Sequence, residues 1–596
     1  MDWKRAAAIL YGDWGTSKAY VIGLAFAVAG YSSFWLIATM CVLTALVGLN
    51  YMVICRLYPD GGGVYASVRH RSEVISIVGA FLLIADYLVT AAISALSAFQ
   101  YLGVPHPEKF AAAAILIIGL LNLLGPKHTG GLAFLISVPT AIVVVVLGLF
   151  SLPHMGEAIG HLQPLHGGFW QNWAGFVGIV LALSGVEAIA NATGVMRLDP
   201  GSTDAQPSVR KTSTPAILWV MIEVCLFTAL LGLAMHALGG LQTANGEVNA
   251  PGAHGVRDYM LRYMGEIFVG GALGPALGHV FGIIVSIVFA LLLLSATNTA
   301  IVDLIMIQFL MSRDRELPSI FQRLNKWGVP SAGMLLATIV PMLLVILVKD
   351  MAGLADLYAV GVVGAIATNL GATATDRKLT IKSWERTLMF ATFLVMAAIE
   401  MSLLIDKPNA RYFAVTILAV GLILRGLVQE RRMKREVAPA RVSAALPMQV
   451  SPAEAGPASD FTSAESILCA IRGTGRTLDF ALKEARETGR RLYLLFVREQ
   501  PFMTEQDTKR KWPDDPEAST IFAEAKQKAV DHPPLFCYAV SPSAAETIVD
   551  VAATLGASRV ILGAPQRSAL LNLIRGSVIR EVSNSLPEEI DLLVYA

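Results

Sequence analysis

Three acidic side chains, Asp13, Asp86 and Glu187, stand deep inside runs of apolar residues. Two of them sit in stretches that a continuous lipid-facing helix would not choose. Tyr11-Gly12-Asp13-Trp14-Gly15-Thr16-Ser17 places glycines, a carboxylate and hydroxyls in one apolar run, and Ser184-Gly185-Val186-Glu187, continuing to Asn191, Thr193 and Gly194, does so in another. Such stretches predict interrupted helices. Unwinding frees backbone oxygens and amides, which is tolerable at membrane depth only where they line a cavity and meet a ligand. The third acid heads a polar stripe, because Asp86, Thr90 and Ser94 recur every four residues and share one helical face, with Tyr87 beside them. Tyr20 lies two helical turns beyond Asp13. An acid at the bilayer centre costs on the order of 2.5–3.5 kcal/mol on insertion scales. We assign these acids no Lys or Arg partner within the first, third or sixth apolar span, which leaves a mobile cation, a proton, or both in alternation. Each acid taken alone could instead be protonated and bond neighbouring helices, and a Ser/Thr stripe taken alone serves helix packing.

The chemistry implied is cation coordination. Carboxylate, hydroxyl, phenol and carbonyl oxygens can replace the hydration shell of a hard monovalent ion. Asp13 in an unwound first helix would repel a substrate carboxylate, although a neutral amino-acid or polyamine permease stays open as an alternative. A membrane sensor that signals through its tail stays open as well. Ser295, Thr297, Asn298 and Thr299, followed by Asp303, form a further polar group that either makes a second ion site against the first span or packs helices. No catalytic triad, metal cluster or Walker-type loop is present in the sequence, so an enzyme is not expected.

The elements that must position these residues follow from composition. Of 596 residues, 55% are hydrophobic and only 15% charged, where a soluble chain carries about 25% charged residues. The surplus falls into blocks of about 20 residues, the length that crosses about 30 Å of hydrocarbon. Twelve spans are predicted, at 8–30, 34–56, 76–101, 110–125, 131–152, 172–196, 212–238, 272–303, 333–349, 354–373, 384–405 and 411–428. The interrupted spans, first and sixth, open two five-span halves. Lys and Arg concentrate in the connections on the side of the N-terminus (Arg56, Arg69, Arg71, Arg210, Lys211, Arg313, Arg377 and Lys378 among them), with few opposite (Lys109, Arg257, Arg262, Lys349, Lys407, Arg411). The positive-inside rule then puts both termini in the cytoplasm of a bacterial inner membrane. The cluster Arg431, Arg432, Lys434 and Arg435 after the last span fits anionic head groups. The net charge of +1 singles out no nucleic acid or acidic partner. The five cysteines have neither metal nor disulfide spacing.

Three regions result: a transport domain at 1–430, a basic then Ala/Pro/Ser-rich linker at 431–461, and a cytosolic domain at 462–596. In the last, short apolar runs at 466–471, 491–497, 535–540, 559–564 and 590–596 alternate with amphipathic stretches at 474–489, 515–530, 542–555 and 568–585. That alternation predicts a doubly wound α/β domain with a parallel five-stranded sheet.

The segment Tyr11 to Tyr20 resembles the signature that opens the first span of KUP/KimA-type potassium-uptake permeases, a group within the APC superfamily, and 86–90, 184–190 and 356–362 look like corresponding parts of that group. Lys18-Ala19 departs from the usual Pro-Leu, and Trp14 from Ile. The resemblance implies a LeuT-type inverted repeat of five plus five helices with two extra, and K⁺/H⁺ symport, often as a homodimer. It also implies that Asp13, Tyr20, Asp86, Tyr87, Thr90, Ser94, Ser184 and Tyr358 line the K⁺ path, with Glu187 and Asp13 in proton coupling. The tail resembles the universal stress protein fold, whose nucleotide-binding members carry Gly-x2-Gly-x9-Gly-Ser/Thr. Here Gly563, Gly576 and Ser577 match, but Gln566 replaces the middle glycine and Ala470-Ile471-Arg472-Gly473 lacks the usual acid. An adenine nucleotide or cyclic dinucleotide on the tail is a family-level expectation, beside a purely structural docking or dimerising role.

Overall fold

The computed structural model describes residues 1–59, 61–124, 129–183, 185–202, 207–244, 246–325, 327–445, 465–500, 511–529, 532–541, 543–563, 578–587 and 589–595. The chain divides into two compact units, Met1–Gln429 and Glu430–Ala596.

The first unit is helical. In order it contains α1 (Trp3–Trp14), α2 (Ser17–Ala29), α3 (Ser33–Leu57), α4 (Gly63–Arg69), α5 (Glu73–Leu102), α6 (Pro107–Asn122), α7 (Thr129–Ser151), α8 (Met155–Gly160), α9 (Phe169–Val177) and α10 (Ala188–Ala192). There follow α11 (Arg210–Ala234), a short hairpin of β1 (Gln242–Ala244) and β2 (Glu247–Asn249), α12 (Met260–Leu273), α13 (Pro275–Arg313), α14 (Ser331–Val348), α15 (Met351–Thr375), α16 (Ser383–Asp406) and α17 (Pro408–Ala445). Among the described residues, nine helical runs are long and apolar enough to cross a membrane, the first being the stretch Trp3–Leu57, which takes in α1, α2 and α3. The predicted fourth span is the 16-residue α6, and the predicted sixth is broken into short pieces. The three additional short helices α4, α8 and α12 were not expected. α12 buries Met260, Leu261, Met264 and Phe268 on one side, a helical period that the sequence does carry.

The helix α5 occupies the middle of the bundle. It is buried from Gly79 to Ala98 and packs on α13, α15, α6 and α4. Because it meets protein on every side, it tolerates polar residues that a lipid-facing helix would not. α1 packs on α7, α11 and α13, and α15 lies between α5 and α16.

The second unit is the expected α/β domain. Strands β3 (Ser466–Ala470), β4 (Arg491–Glu499), β5 (Leu535–Ser541), β6 (Ala557–Gly563) and β7 (Asp591–Tyr595) form one parallel sheet in the order β5-β4-β3-β6-β7. The connecting helices are α18 (Arg476–Thr488), α19 (Pro516–Lys528), α20 (Ala544–Thr554) and α21 (Val578–Ser585). Ile467, Cys469 and Leu494 pack on one face and Leu468, Leu495 and Val560 on the other, so each strand is apolar on both sides. The last predicted helix begins ten residues earlier, at 568, in a stretch outside the described residues.

Candidate ion site at two interrupted helices

The first span is interrupted where the sequence indicates. α1 stops at Trp14, Gly15 and Thr16 form a turn, and α2 begins at Ser17. Thr16 Oγ1 donates to the Asp13 carbonyl oxygen at 2.5 Å beside the Thr16 amide at 3.1 Å, so side chain and backbone share that acceptor at the break. The sixth span unwinds further: α9 is followed by a 3-10 turn at Val180–Leu183, and a turn at Gly185–Glu187 leads into α10. Gly185 has φ +94°, and a Cβ there would lie 2.5 Å from the Trp14 amide nitrogen and 2.9 Å from the Asp13 carbonyl carbon. The two breaks therefore touch backbone to backbone, and only glycine permits that approach with that φ.

Around this crossing the polar residues of α5 converge. Asp86 and Ser94 are wholly buried, and Thr90 and Asp13 nearly so. Thr90 Oγ1 donates to the Asp86 backbone oxygen at 2.9 Å and reaches Asp86 Oδ1 at 3.2 Å. Tyr20 of α2 donates to Thr16 Oγ1 at 2.7 Å and stands 3.5 Å from Ser94 Oγ, while Tyr101 of α5 donates to the Ala19 carbonyl at 2.8 Å. Tyr87 accepts a hydrogen bond from Asn191 Nδ2 of α10. The acids share one electrostatic neighbourhood. Asp13, Glu187, Thr90 and Tyr358 all act on Asp86, while Asp86 and Asp13 act on Glu187, and Asp13 acts on Asp303. Tyr358 is buried on α15.

Glu187 Oε1 accepts the Gly185 amide at 3.3 Å. Its Oε2, and Oδ2 of Asp86, are buried with no hydrogen-bond partner among the described residues. Buried polar atoms are nearly always satisfied, and Glu187 and Tyr358 both act on the Asp86 carboxyl as hydrogen-bonding neighbours, so a proton shared between the two acids can satisfy these oxygens.

The structure thus brings together Asp13, Tyr20, Asp86, Tyr87, Thr90, Ser94, Glu187 and Tyr358. Ser184 lies outside the described residues. The second polar group is split. Ser295 Oγ lies 3.8 Å from where a Cβ on Gly12 would stand, whereas Asn298 accepts from Asn122 of α6 at 2.6 Å and Thr297 bonds helix carbonyls. In the second unit Gly563 closes β6, where a Cβ would come 2.9 Å from Thr477 Oγ1 at the start of α18. Gly576 and Ser577 lie outside the described residues.

Against the expectation that no Lys or Arg in these spans can pair with the acids, Lys18 stands inside the first span and is fully buried. Its ammonium pairs with Glu223 of α11 at 2.9 Å. Among the described residues no ion pair reaches Asp86 or Glu187. Glu400 of α16 was also passed over. Its Oε2 has no partner among the described residues, and Gly364 of α15 packs against its carboxyl. Both Glu223 and Glu400 were legible as acids within apolar runs, the same signal that singled out Asp86.

Residues 1–428 match the family described as "Amino acid permease", and residues 465–590 match the "Universal stress protein family". Among curated relatives, the chain is 30% identical over 224 residues to "Probable potassium transport system protein Kup 1" of Bradyrhizobium sp. (34% of this chain, 36% of that protein). It is 27% identical over 388 residues to "Potassium transporter KimA" of Bacillus subtilis (60% of this chain, 58% of that protein). The chain therefore spans about a third to rather more than half of the length of these relatives. Over its helical unit the chain belongs to the amino acid permease family, and it carries behind that unit a domain of the universal stress protein family.

Proposed function

We propose that the protein is a secondary potassium importer that couples K⁺ to H⁺ by alternating access. One observation carries the reading: the buried acids Asp13 of α1, Asp86 of α5 and Glu187 of the turn before α10 share a neighbourhood where two interrupted spans cross. Potassium transport is named for both relatives quoted above. In this reading K⁺ exchanges its hydration shell for oxygens of Asp13, Tyr20, Asp86, Tyr87, Thr90, Ser94, Ser184 and Tyr358. Protonation of Glu187 or Asp13 then compensates charge and permits rocking of one helix group against the other.

The same reading takes the helical unit as twelve crossings in a five-plus-five inverted repeat with two extra helices, both termini in the cytoplasm of a bacterial inner membrane. Residues 1–430 transport, 431–461 link, and 462–596 regulate or dimerise, with an adenine nucleotide or cyclic dinucleotide as the tail's candidate ligand. The family description favours a second reading, an amino-acid or polyamine permease. Asp13 beside the break argues against a substrate carboxylate there, by like-charge repulsion. Complementation separates the readings. The wild-type gene should restore growth of a potassium-uptake-deficient strain at micromolar K⁺, and Asp13→Asn and Asp86→Asn should each abolish it. Normal growth of both variants overturns the assignment.

A further inference from the structure

At one boundary of the helical unit three helix ends meet around a cavity of about 160 Å³. α3 forms its back wall and packs on both α11 and α16, which flank it. The rim is charged. Arg56 is the last residue but one of α3, Arg210 opens α11, and Trp384 and Glu385 stand in the first turn of α16. Below the rim the walls turn apolar. Leu49 lies seven residues, or about 10 Å, further along α3, with Val53 between, and Leu388 lies one turn into α16. Leu49 and Trp384 are 40% and 62% exposed, so apolar surface continues from the cavity onto the outside of the bundle.

Charge selects the occupant. Arg56 donates to both oxygens of Glu385, at 3.1 and 2.7 Å, and the Lys382 amide donates to Glu385 Oε2 at 3.2 Å. The acid is thus occupied within the wall. Arg210 is exposed, and among the described residues no ion pair reaches it. A planar guanidinium at the level where hydrocarbon meets water is suited to a phosphate, which it can hold by two parallel hydrogen bonds. The apolar slot beneath suits an acyl chain, and a tryptophan beside it belongs at the head-group level. A zwitterionic lipid brings an ammonium, to which the occupied Glu385 offers no free charge. An anionic lipid brings none.

We infer that this cavity seats an anionic phospholipid of the phosphatidylglycerol kind, with its phosphate on Arg210 beside the Arg56–Glu385 pair and an acyl chain along Leu49, Val53 and Leu388. The bound lipid ties α11 and α16 to α3. The site stands independently of which solute the helical unit carries.

The test titrates phosphatidylglycerol and phosphatidylcholine into purified full-length protein in neutral detergent and counts bound lipid by native mass spectrometry. Wild type should hold phosphatidylglycerol about ten-fold more tightly than phosphatidylcholine, and Arg210→Gln should lose about ten-fold in affinity for phosphatidylglycerol. Lys109→Gln, at the start of α6 and outside the cavity, should keep wild-type affinity. Leu49→Trp fills the apolar slot while leaving every charge in place, and should also displace the lipid. Inorganic phosphate should not compete. Equal binding of the two lipids, or wild-type affinity in both Arg210→Gln and Leu49→Trp, overturns the inference. Displacement of the lipid by inorganic phosphate overturns it too, in favour of a site for a soluble anion.

Discussion

Gly361 of α15 stands so close to Asp86 of α5 that a Cβ there would lie 2.7 Å from the Asp86 amide nitrogen and 2.8 Å from its Cα. The close crossing sets Tyr358, one turn earlier on α15, into the neighbourhood of the Asp86 carboxyl. Backbone cannot give way as a flexible side chain can. Gly361→Ala should therefore destabilise the bundle by about 1–3 kcal/mol and spread α5 from α15. A lower apparent Tm together with lost K⁺ uptake is expected, and unchanged values of both would contradict the packing account.

Gly185 supplies the equivalent contact between the two breaks, with a positive φ in addition. Gly185→Ala should be harsher than Gly361→Ala, because it combines a clash with the Trp14 backbone and a left-handed conformation that side chains disfavour. Comparing K⁺ uptake of the two variants at matched protein level checks the order. Equal or milder loss for Gly185→Ala would show that the breaks do not need to touch.

Glu187→Gln keeps the shape of the side chain and removes its ability to exchange a proton. The expected signature is retained K⁺-dependent thermal stabilisation with loss of the acceleration that an inward pH gradient gives. Loss of both properties would place Glu187 among the K⁺ ligands instead.

In the second unit Asp515 makes a pH-dependent contribution of known sign. Burial alone pushes its carboxyl up, but hydrogen bonds from Arg498, the Ala518 amide and Tyr538 outweigh that and hold it at about 2 against an ordinary 3.8. A depressed folded value means stabilisation present above the ordinary value and lost as pH falls through about 4 to about 2, worth about 2 kcal/mol. The side chain is fully buried, pairs with Arg498 at 2.5 Å and caps α19 through Glu517 and Ala518 amides. Asp515→Asn should weaken hydrogen-exchange protection of β4 and α19 at pH 7 in the full-length protein. Unchanged protection would refute the assignment.

The sequence made much of this arrangement legible because the decisive signals are local. A carboxylate, two glycines and hydroxyls within seven residues announced the first break, and the i, i+4 stripe of Asp86, Thr90 and Ser94 announced the buried face of α5. The alternating strands and helices of the tail were equally local, since a parallel sheet covered on both faces leaves near-continuous apolar runs. What escaped depends on partners far apart in the chain. Lys18 and Glu223 are 205 positions apart, and nothing in either segment states that they meet. Gly361 looks like an ordinary small residue until the helix it faces is known. The short α4, α8 and α12 escaped because none is long enough to read as a crossing.

The central claim is that these buried acids bind and release K⁺ in exchange with H⁺. Its most direct test is K⁺ flux into liposomes containing the purified full-length protein, with and without an inward proton gradient, for wild type and for Asp13→Asn and Asp86→Asn. The account predicts saturable K⁺ uptake that the gradient accelerates in wild type and that both variants lack. Uptake indifferent to the gradient, or undiminished in both variants, would contradict it.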